Sequence, residues 1–312
     1  MLLMKNIFFC AFLCLCCMST VLGREVIAFN EGWEFKKGPF PIDVMRADSL
    51  CQGQWERVTL PHTWNANDMQ VRANAFYQGV AYYRKSCFFP AEWKRKRLFL
   101  RFEGVGSCCE VYVNGKFVGT HCGAYSAFAV EIQGEVKFGQ ANEIVVKADN
   151  SERPDVIPVN HNLFGVYGGI YRPVTLIITE PIYIAVTDHA SPGVYITQKE
   201  VSQKSAEVSV KVKLNNATLQ PEPVVLENTI YDQSGRQVCT QCKTVMLSPQ
   251  GMQSFVSEFK IKHPHLWHGR RDPYLYKVST RLYRNGELAD EVNQPLGLRK
   301  YEVIAGKGFY LN

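Results

Sequence analysis

The stretch EVYVNGKFVGT, residues 110–120, is two short alternating segments joined by Asn114-Gly115. Both residues of that pair tolerate positive φ, so the stretch predicts a β-hairpin closed by a two-residue turn. Neighbouring segments keep the same period of two. RLFLRF (97–102) places Leu98, Leu100 and Phe102 on one face, NEIVVKAD (142–149) groups Ile144, Val146 and Ala148, and RPVTLIIT (172–179) groups Val174, Leu176 and Ile178. No long stretch carries a capped 3.6-residue period. The expectation is an all-β region folded as a sandwich or jelly roll.

Further along, AEVSVKVKLNN (206–216) turns Val208, Val210, Val212 and Leu214 inward, TIYDQSGRQV (229–238) reads strand-turn-strand, and Asn285-Gly286 marks another hairpin. Roughly seven short strands over about a hundred residues predict an immunoglobulin-like sandwich. The division between the two is expected at Glu180-Pro181, giving domains at 24–181 and 182–298. The last residues, GLRKYEVIAGKGFYLN, end in an aromatic-aliphatic run after a Gly-Lys-Gly turn, which reads as the start of a new strand.

The 312 residues are 46% hydrophobic and 21% charged, with a formal charge of +6, within the range of a globular protein with a sizeable core. The one dense basic run, Lys94-Arg95-Lys96-Arg97, is read as a solvated loop and not as a nucleic-acid patch. Residues 1–23 have a basic n-region at Lys5, an apolar stretch from Ile7 to Met18 and small residues before Arg24. That is the pattern of a secretory signal peptide, too short to span a membrane, so export, most simply to a periplasm, is expected. Lipid anchoring at Cys16 or Cys17 is the alternative, on a poor preceding lipobox. Four of the eleven cysteines lie in this leader. Seven remain, an odd number for an exported chain. Cys87, Cys108 and Cys109 sit in apolar strand patterns and read as buried, inert thiols. Cys239 and Cys242, in CTQC, read as a hairpin disulfide or two free thiols.

Several motifs allow chemistry. WERVTLPHTWN (55–65) carries Trp55, His62, Trp64 and Asn65 into a loop, where Trp and Asn could meet a sugar, although buried packing of the rings is the plainer reading. After the strand that closes at Ala148 come Asp149, Asn150, Ser151, Glu152 and Arg153, then a long Pro/Asn loop and Gly165, Gly168 and Gly169. Long polar loops on a rigid β scaffold are where binding residues gather, though Asp and Asn also make their own turn bonds. His263, His265 and His268 have no cysteine or carboxylate at ligand spacing, so no metal is assigned, and no cofactor is expected. The chain has no G-x-S-x-G, H-E-x-x-H, P-loop or dinucleotide fingerprint.

LPHTWN, VYVNGKFVGTHCGAYSAFAVEI, FGVYGGIYRPVTL, HLWHGRRDPYLYKV and GLRKYEVIAGKGFYLN occur here in the order found in glycoside hydrolase family 2, across Pro61–Asn312. The chain resembles the β-galactosidase-like members. The resemblance implies a jelly-roll, galactose-binding-like domain, an immunoglobulin-like domain and then a TIM barrel opened by a G-F-x-L-N strand, here residues 299–312. It implies a retaining mechanism in which one Glu protonates the leaving oxygen and a second attacks the anomeric carbon. Both glutamates belong to barrel strands outside these residues, so no catalytic residue is assigned and this chain by itself is expected to be inactive. By position, the resemblance makes Asp149 a substrate-flanking residue, with Asn150 beside it and Asn65 from the LPHTW loop. Arg172 is expected to hold its loop by hydrogen bonds. The implied partners are an oligosaccharide or β-glycoside, with homo-oligomerisation or docking on a catalytic domain, and no nucleic acid or membrane span. A non-catalytic two-sandwich carbohydrate binder, or an inactive remnant, is the alternative. The resemblance leaves galactose, glucuronic acid and mannose open and leans to galactose.

Overall fold

The computed structural model of the protein describes residues 23–39, 55–68, 76–157 and 165–312. The expected leader, apart from Gly23, and Cys51 lie outside them. The first ten strands are β1 Glu25–Ala28, β2 Trp33–Lys37, β3 Glu56–Val58, β4 Val80–Phe88, β5 Arg97–Phe102, β6 Cys108–Val113, β7 Lys116–Cys122, β8 Phe128–Glu131, β9 Ala141–Asp149 and β10 Val174–Thr179. They form two antiparallel sheets, β1-β10-β5-β8 and β3-β2-β4-β9-β6-β7. The inward residues of both sheets, among them Trp33, Leu98, Leu100, Phe102, Ile144 and Val146, are completely buried and make one core. The indole of Trp33 donates from Nε1 to the Phe29 carbonyl at 2.8 Å, so its burial leaves no orphaned donor.

The second sandwich has β11 Ile182–Ile184, β12 Val194–Lys199, β13 Ser205–Asn216, β14 Glu222–Tyr231, β15 Gln237–Leu247, β16 Gly251–Lys262, β17 Tyr276–Arg284 and β18 Glu287–Leu296. One sheet is β15-β14-β17-β18; in the other, β13 is flanked by β16 and by β11 with β12. β11 and β12 lie end to end on one side of β13, at Asn216–Leu214 and Val212–Glu207. They are two halves of one interrupted edge, which is why eight segments make an immunoglobulin-like sandwich. Val208, Val210, Val212 and Leu214 all point into its core with no exposed area.

Both Asn-Gly hairpins form. Asn114 and Gly115 have φ of 49° and 75°, and Asn285 and Gly286 have 52° and 82°, the left-handed pairs that fit the twist of the flanking strands. The basic run is tied down: Lys96 pairs with Glu180 and Arg97 with Glu131.

Two expectations need correction. Alternation assigned β5 one buried face, yet Phe99 on its other face is also fully buried, packed with Ile177, Tyr183 and Val186. The second sandwich covers that side. Arg24 reinforces the join, with Nε 2.9 Å from Oδ1 and Nη2 2.8 Å from Oδ2 of the buried Asp290. The Ile184 amide donates to the same carboxylate at 2.7 Å. The second correction concerns Cys108, which is no free thiol: it is bonded to Cys122 across the β6–β7 hairpin. Cys87 and Cys109 are free, and burial pushes their thiols up to about 11 and about 12. Cys239 and Cys242 are unbonded.

The final segment forms a hairpin, β19 Tyr301–Ile304 with β20 Gly308–Leu311. Tyr301, Val303 and Phe309 project from it into solvent. Asn312 holds it to the second sandwich by donating from Nδ2 to the Trp267 carbonyl at 2.9 Å.

Candidate functional site

β9 ends at Asp149, and the loops around that end are assembled by two buried asparagines. Asn150 Oδ1 accepts from the Gly79 amide at 2.8 Å. Its Nδ2 donates to the Val166 carbonyl at 2.8 Å, the Tyr77 carbonyl at 3.1 Å and Asn65 Oδ1 at 3.2 Å. Asn65 in turn accepts from the Gly168 amide at 2.8 Å and donates to Asp68 and to the Tyr77 carbonyl. Neither asparagine has exposed area. Each is saturated by loop backbone and neighbouring side chains, so neither presents a polar atom to an external sugar. The structure thus makes them the clasp of the site.

The glycines after the long loop serve close approach. A Cβ on Gly168 would lie 1.9 Å from the Trp64 ring, and one on Gly169, at φ 117°, would meet the His62 carbonyl at 2.6 Å. Trp64 stacks on Phe35 at 5.9 Å, and His62 Nδ1 lies 2.8 Å from the Tyr83 hydroxyl. The tryptophans at 33 and 64 are therefore packing residues. Arg172 departs from expectation: it lies exposed over the Tyr171 ring at 5.7 Å, while the asparagines hold the loop.

Asp149 is partly exposed. Its Oδ1 accepts from the Ser151 amide at 2.8 Å and the Ser151 hydroxyl at 2.6 Å, which fixes the carboxylate; Oδ2 has no partner among the described residues. It lines a cleft of about 110 Å³ with Glu110, Lys147, Arg153 and the Cys108–Cys122 bridge. Lys147 donates to Glu110 at 2.8 Å, and the Tyr112 hydroxyl donates to the same carboxylate. Burial works against the Glu110 carboxylate, but the bonds from Lys147 and Tyr112 outweigh it and hold its pKa below the ordinary range. Lys147 is raised, chiefly by that hydrogen bond. Glu110 and Lys147 are thus a standing ion pair. What the cleft offers a ligand is the open edge of a fixed carboxylate, suited to accepting hydrogen bonds from hydroxyl groups.

Three features of this surface were outside the sequence reading: the cystine on the cleft wall, the Glu110–Lys147 pair and Arg153 as a lining residue. The pair had a signal, because Glu110 and Lys147 fall opposite each other once β6 and β9 are paired. Among the His-rich residues, His265 Nε2 lies 2.6 Å from Asp272 and the ring stacks on Tyr274 at 3.9 Å, while His268 faces Asn312.

Two antiparallel sandwiches in series thus carry a fixed carboxylate, open on one oxygen, at the end of β9 in the first. The chain belongs to glycosyl hydrolase family 2. Residues 42–181 match the family's sugar binding domain and residues 189–299 match the domain described as glycosyl hydrolases family 2. A curated β-glucuronidase of Bacteroides fragilis is 40% identical over 306 residues, covering 96% of this chain and 41% of the relative. A solved Bacteroides fragilis structure carrying a provisional β-galactosidase name is 66% identical with a TM-score of 0.89, covering 93% of this chain and 43% of that one. β-Glucuronidase 2 of Bacteroides uniformis, solved covalently bound to cyclophellitol-6-carboxylate aziridine, is 30% identical with a TM-score of 0.84, at 93% and 34% coverage. The chain therefore spans about two fifths or less of the length of these relatives. No helix among the described residues is long and apolar enough to cross a membrane.

Proposed function

We propose that this chain is the substrate-flanking portion of an exported β-glycosidase, acting on terminal β-galactosides or β-glucuronides in carbohydrate breakdown. The observation that carries the reading is the fixed Asp149 carboxylate, open on one oxygen, at the end of a strand in the matched sugar binding domain. Asp149 accepts hydrogen bonds from hydroxyl groups of the terminal sugar, while Asn150 and Asn65 act indirectly by fixing the loops that carry it. The retaining two-glutamate chemistry implied by the family resides in a barrel domain and not in the described residues. Glu110 does not replace it, being paired with Lys147. The relatives include both a β-glucuronidase and a β-galactosidase, which supports the β-glycoside class more firmly than one sugar. Export is supported by the Cys108–Cys122 bridge, since such bonds persist in oxidising compartments.

The test is an assay of this chain with 4-nitrophenyl β-galactoside and β-glucuronide, together with binding of the corresponding methyl glycosides. The expected result is no turnover and weak binding that Asp149→Asn weakens further. Steady release of nitrophenol by this chain would overturn the assignment of the chemistry elsewhere.

A further inference from the structure

Beside the Asp149 cleft lies a second one, of about 460 Å³, lined by Cys122, Ala124, Tyr125, Ser126, Asp155 and Ile157. Cys122 belongs to both clefts, so the two are contiguous. Tyr125 is 57% exposed and Ile157 75%, an apolar wall left open to solvent. Asp155 stands next to them with its carboxylate held by Arg153, Nε to Oδ1 at 3.0 Å and Nη2 to Oδ2 at 2.9 Å. Arg153 itself lines the first cleft.

Tyr125 is exposed, but its turn is fixed. The Gly123 amide donates to the Ser107 carbonyl at 3.0 Å, and Ser107 donates to the Asp149 carbonyl at 2.7 Å. The Tyr171 hydroxyl donates to the Ala124 carbonyl, and His121 Nε2 lies 3.0 Å from the Ser126 hydroxyl. An exposed ring on a pinned turn loses little freedom when a ligand covers it. Asp149, Cys108 and Cys122 stand at one level across β9, β6 and β7. Two strand spacings therefore separate Asp149 from the start of the Tyr125 turn, about 10 Å, comparable with the span of a disaccharide.

We infer that the Tyr125–Asp155 cleft is a second saccharide subsite, which takes the sugar unit linked to the one held at Asp149. The C–H face of that unit lies on the Tyr125 ring and Ile157, and its hydroxyls donate to Asp155. The inference rests on the substrate-flanking reading of Asp149 and names the class of ligand, a β-linked oligosaccharide in place of a simple glycoside.

The experiment is an NMR titration of the full chain with two probe pairs: methyl β-galactoside against lactose, and methyl β-glucuronide against cellobiouronic acid. In one pair the disaccharide should bind about fivefold more tightly than its monosaccharide glycoside, the ratio expected of one added ring contact. Tyr125→Ala should bring that ratio to about one without changing monosaccharide binding, and Tyr125→Phe should preserve it. Asp149→Asn should weaken both members alike and leave the ratio. A disaccharide that binds through Tyr125 while the monosaccharide does not bind would uphold the subsite and remove the Asp149 reading. A ratio of one in both pairs, a ratio indifferent to Tyr125→Ala, or no saturable binding of any probe would overturn the subsite.

Discussion

Asn150 and Asn65, 85 residues apart in the chain, hydrogen-bond to each other at 3.2 Å with no exposed area on either. Four backbone groups, from Tyr77, Gly79, Val166 and Gly168, are satisfied by this pair. Asn150→Ala would strand the Gly79 amide and the Val166 carbonyl in the interior. A loss of about 2–4 kcal/mol is expected, since each stranded group costs its own desolvation. Urea unfolding followed by tryptophan fluorescence reads it directly, because Trp33, Trp55 and Trp64 all lie in the first sandwich. An unchanged midpoint would refute the clasp.

Arg24 and Asp290 tie the two sandwiches together. Asp290 has no exposed area and also accepts from the Ile184 amide. Arg24→Ala leaves a buried carboxylate short of its counter-ion, which costs about 3 kcal/mol. Calorimetry should show the second sandwich melting earlier, and Arg24→Lys should recover only part, because a lysine cannot make the two-pronged contact.

The Cys108–Cys122 bridge closes a loop of sequence separation 14. Replacing both residues with serine should cost about 2–3 kcal/mol through the freed unfolded chain. Adding a reductant should lower the melting temperature of the native protein and leave the double variant unmoved. A variant melting at the native temperature would count against it.

His62 gives a pH dependence. Burial, the largest influence, lowers its pKa from the ordinary 6.5; Glu56 opposes that and Lys37 adds to it. The unfolded chain therefore binds a proton more readily than the folded one. Stability is fully present above pH 6.5 and is lost as pH falls from there through the lower folded value. His121 shifts the same way, again mainly by burial. His62→Gln should flatten the midpoint-against-pH curve in this window, and a curve as steep as the native one would exclude His62 as its source.

The β architecture was legible because its causes are local. A two-residue side-chain period survives in the sequence wherever one face is buried, and Asn-Gly turns announce their own geometry, as at Asn114-Gly115. The order of five motifs sufficed for the family. The cystine was not legible for an equally physical reason. Counting outward from the turn, Val113 faces Lys116 and Tyr112 faces Phe117, so a regular ladder would set Cys108 against His121. A one-residue bulge between Val111 and Tyr112 shifts the register and brings Cys122 opposite Cys108 instead.

The site divides in the same way. The polar cluster that begins at Asp149 and Asn150 after a strand end can be read along the chain, whereas Asn65 joined them only through the family resemblance. Which of them turns outward depends on groups far away in sequence: the amides of Gly79 and Gly168 and the carbonyls of Tyr77 and Val166 draw both asparagines inside, while Ser151 fixes Asp149 at the surface. Residue type and local order determined the fold and the family. Only tertiary hydrogen bonding, which must satisfy every buried backbone group, decided which polar side chain is left open at the surface.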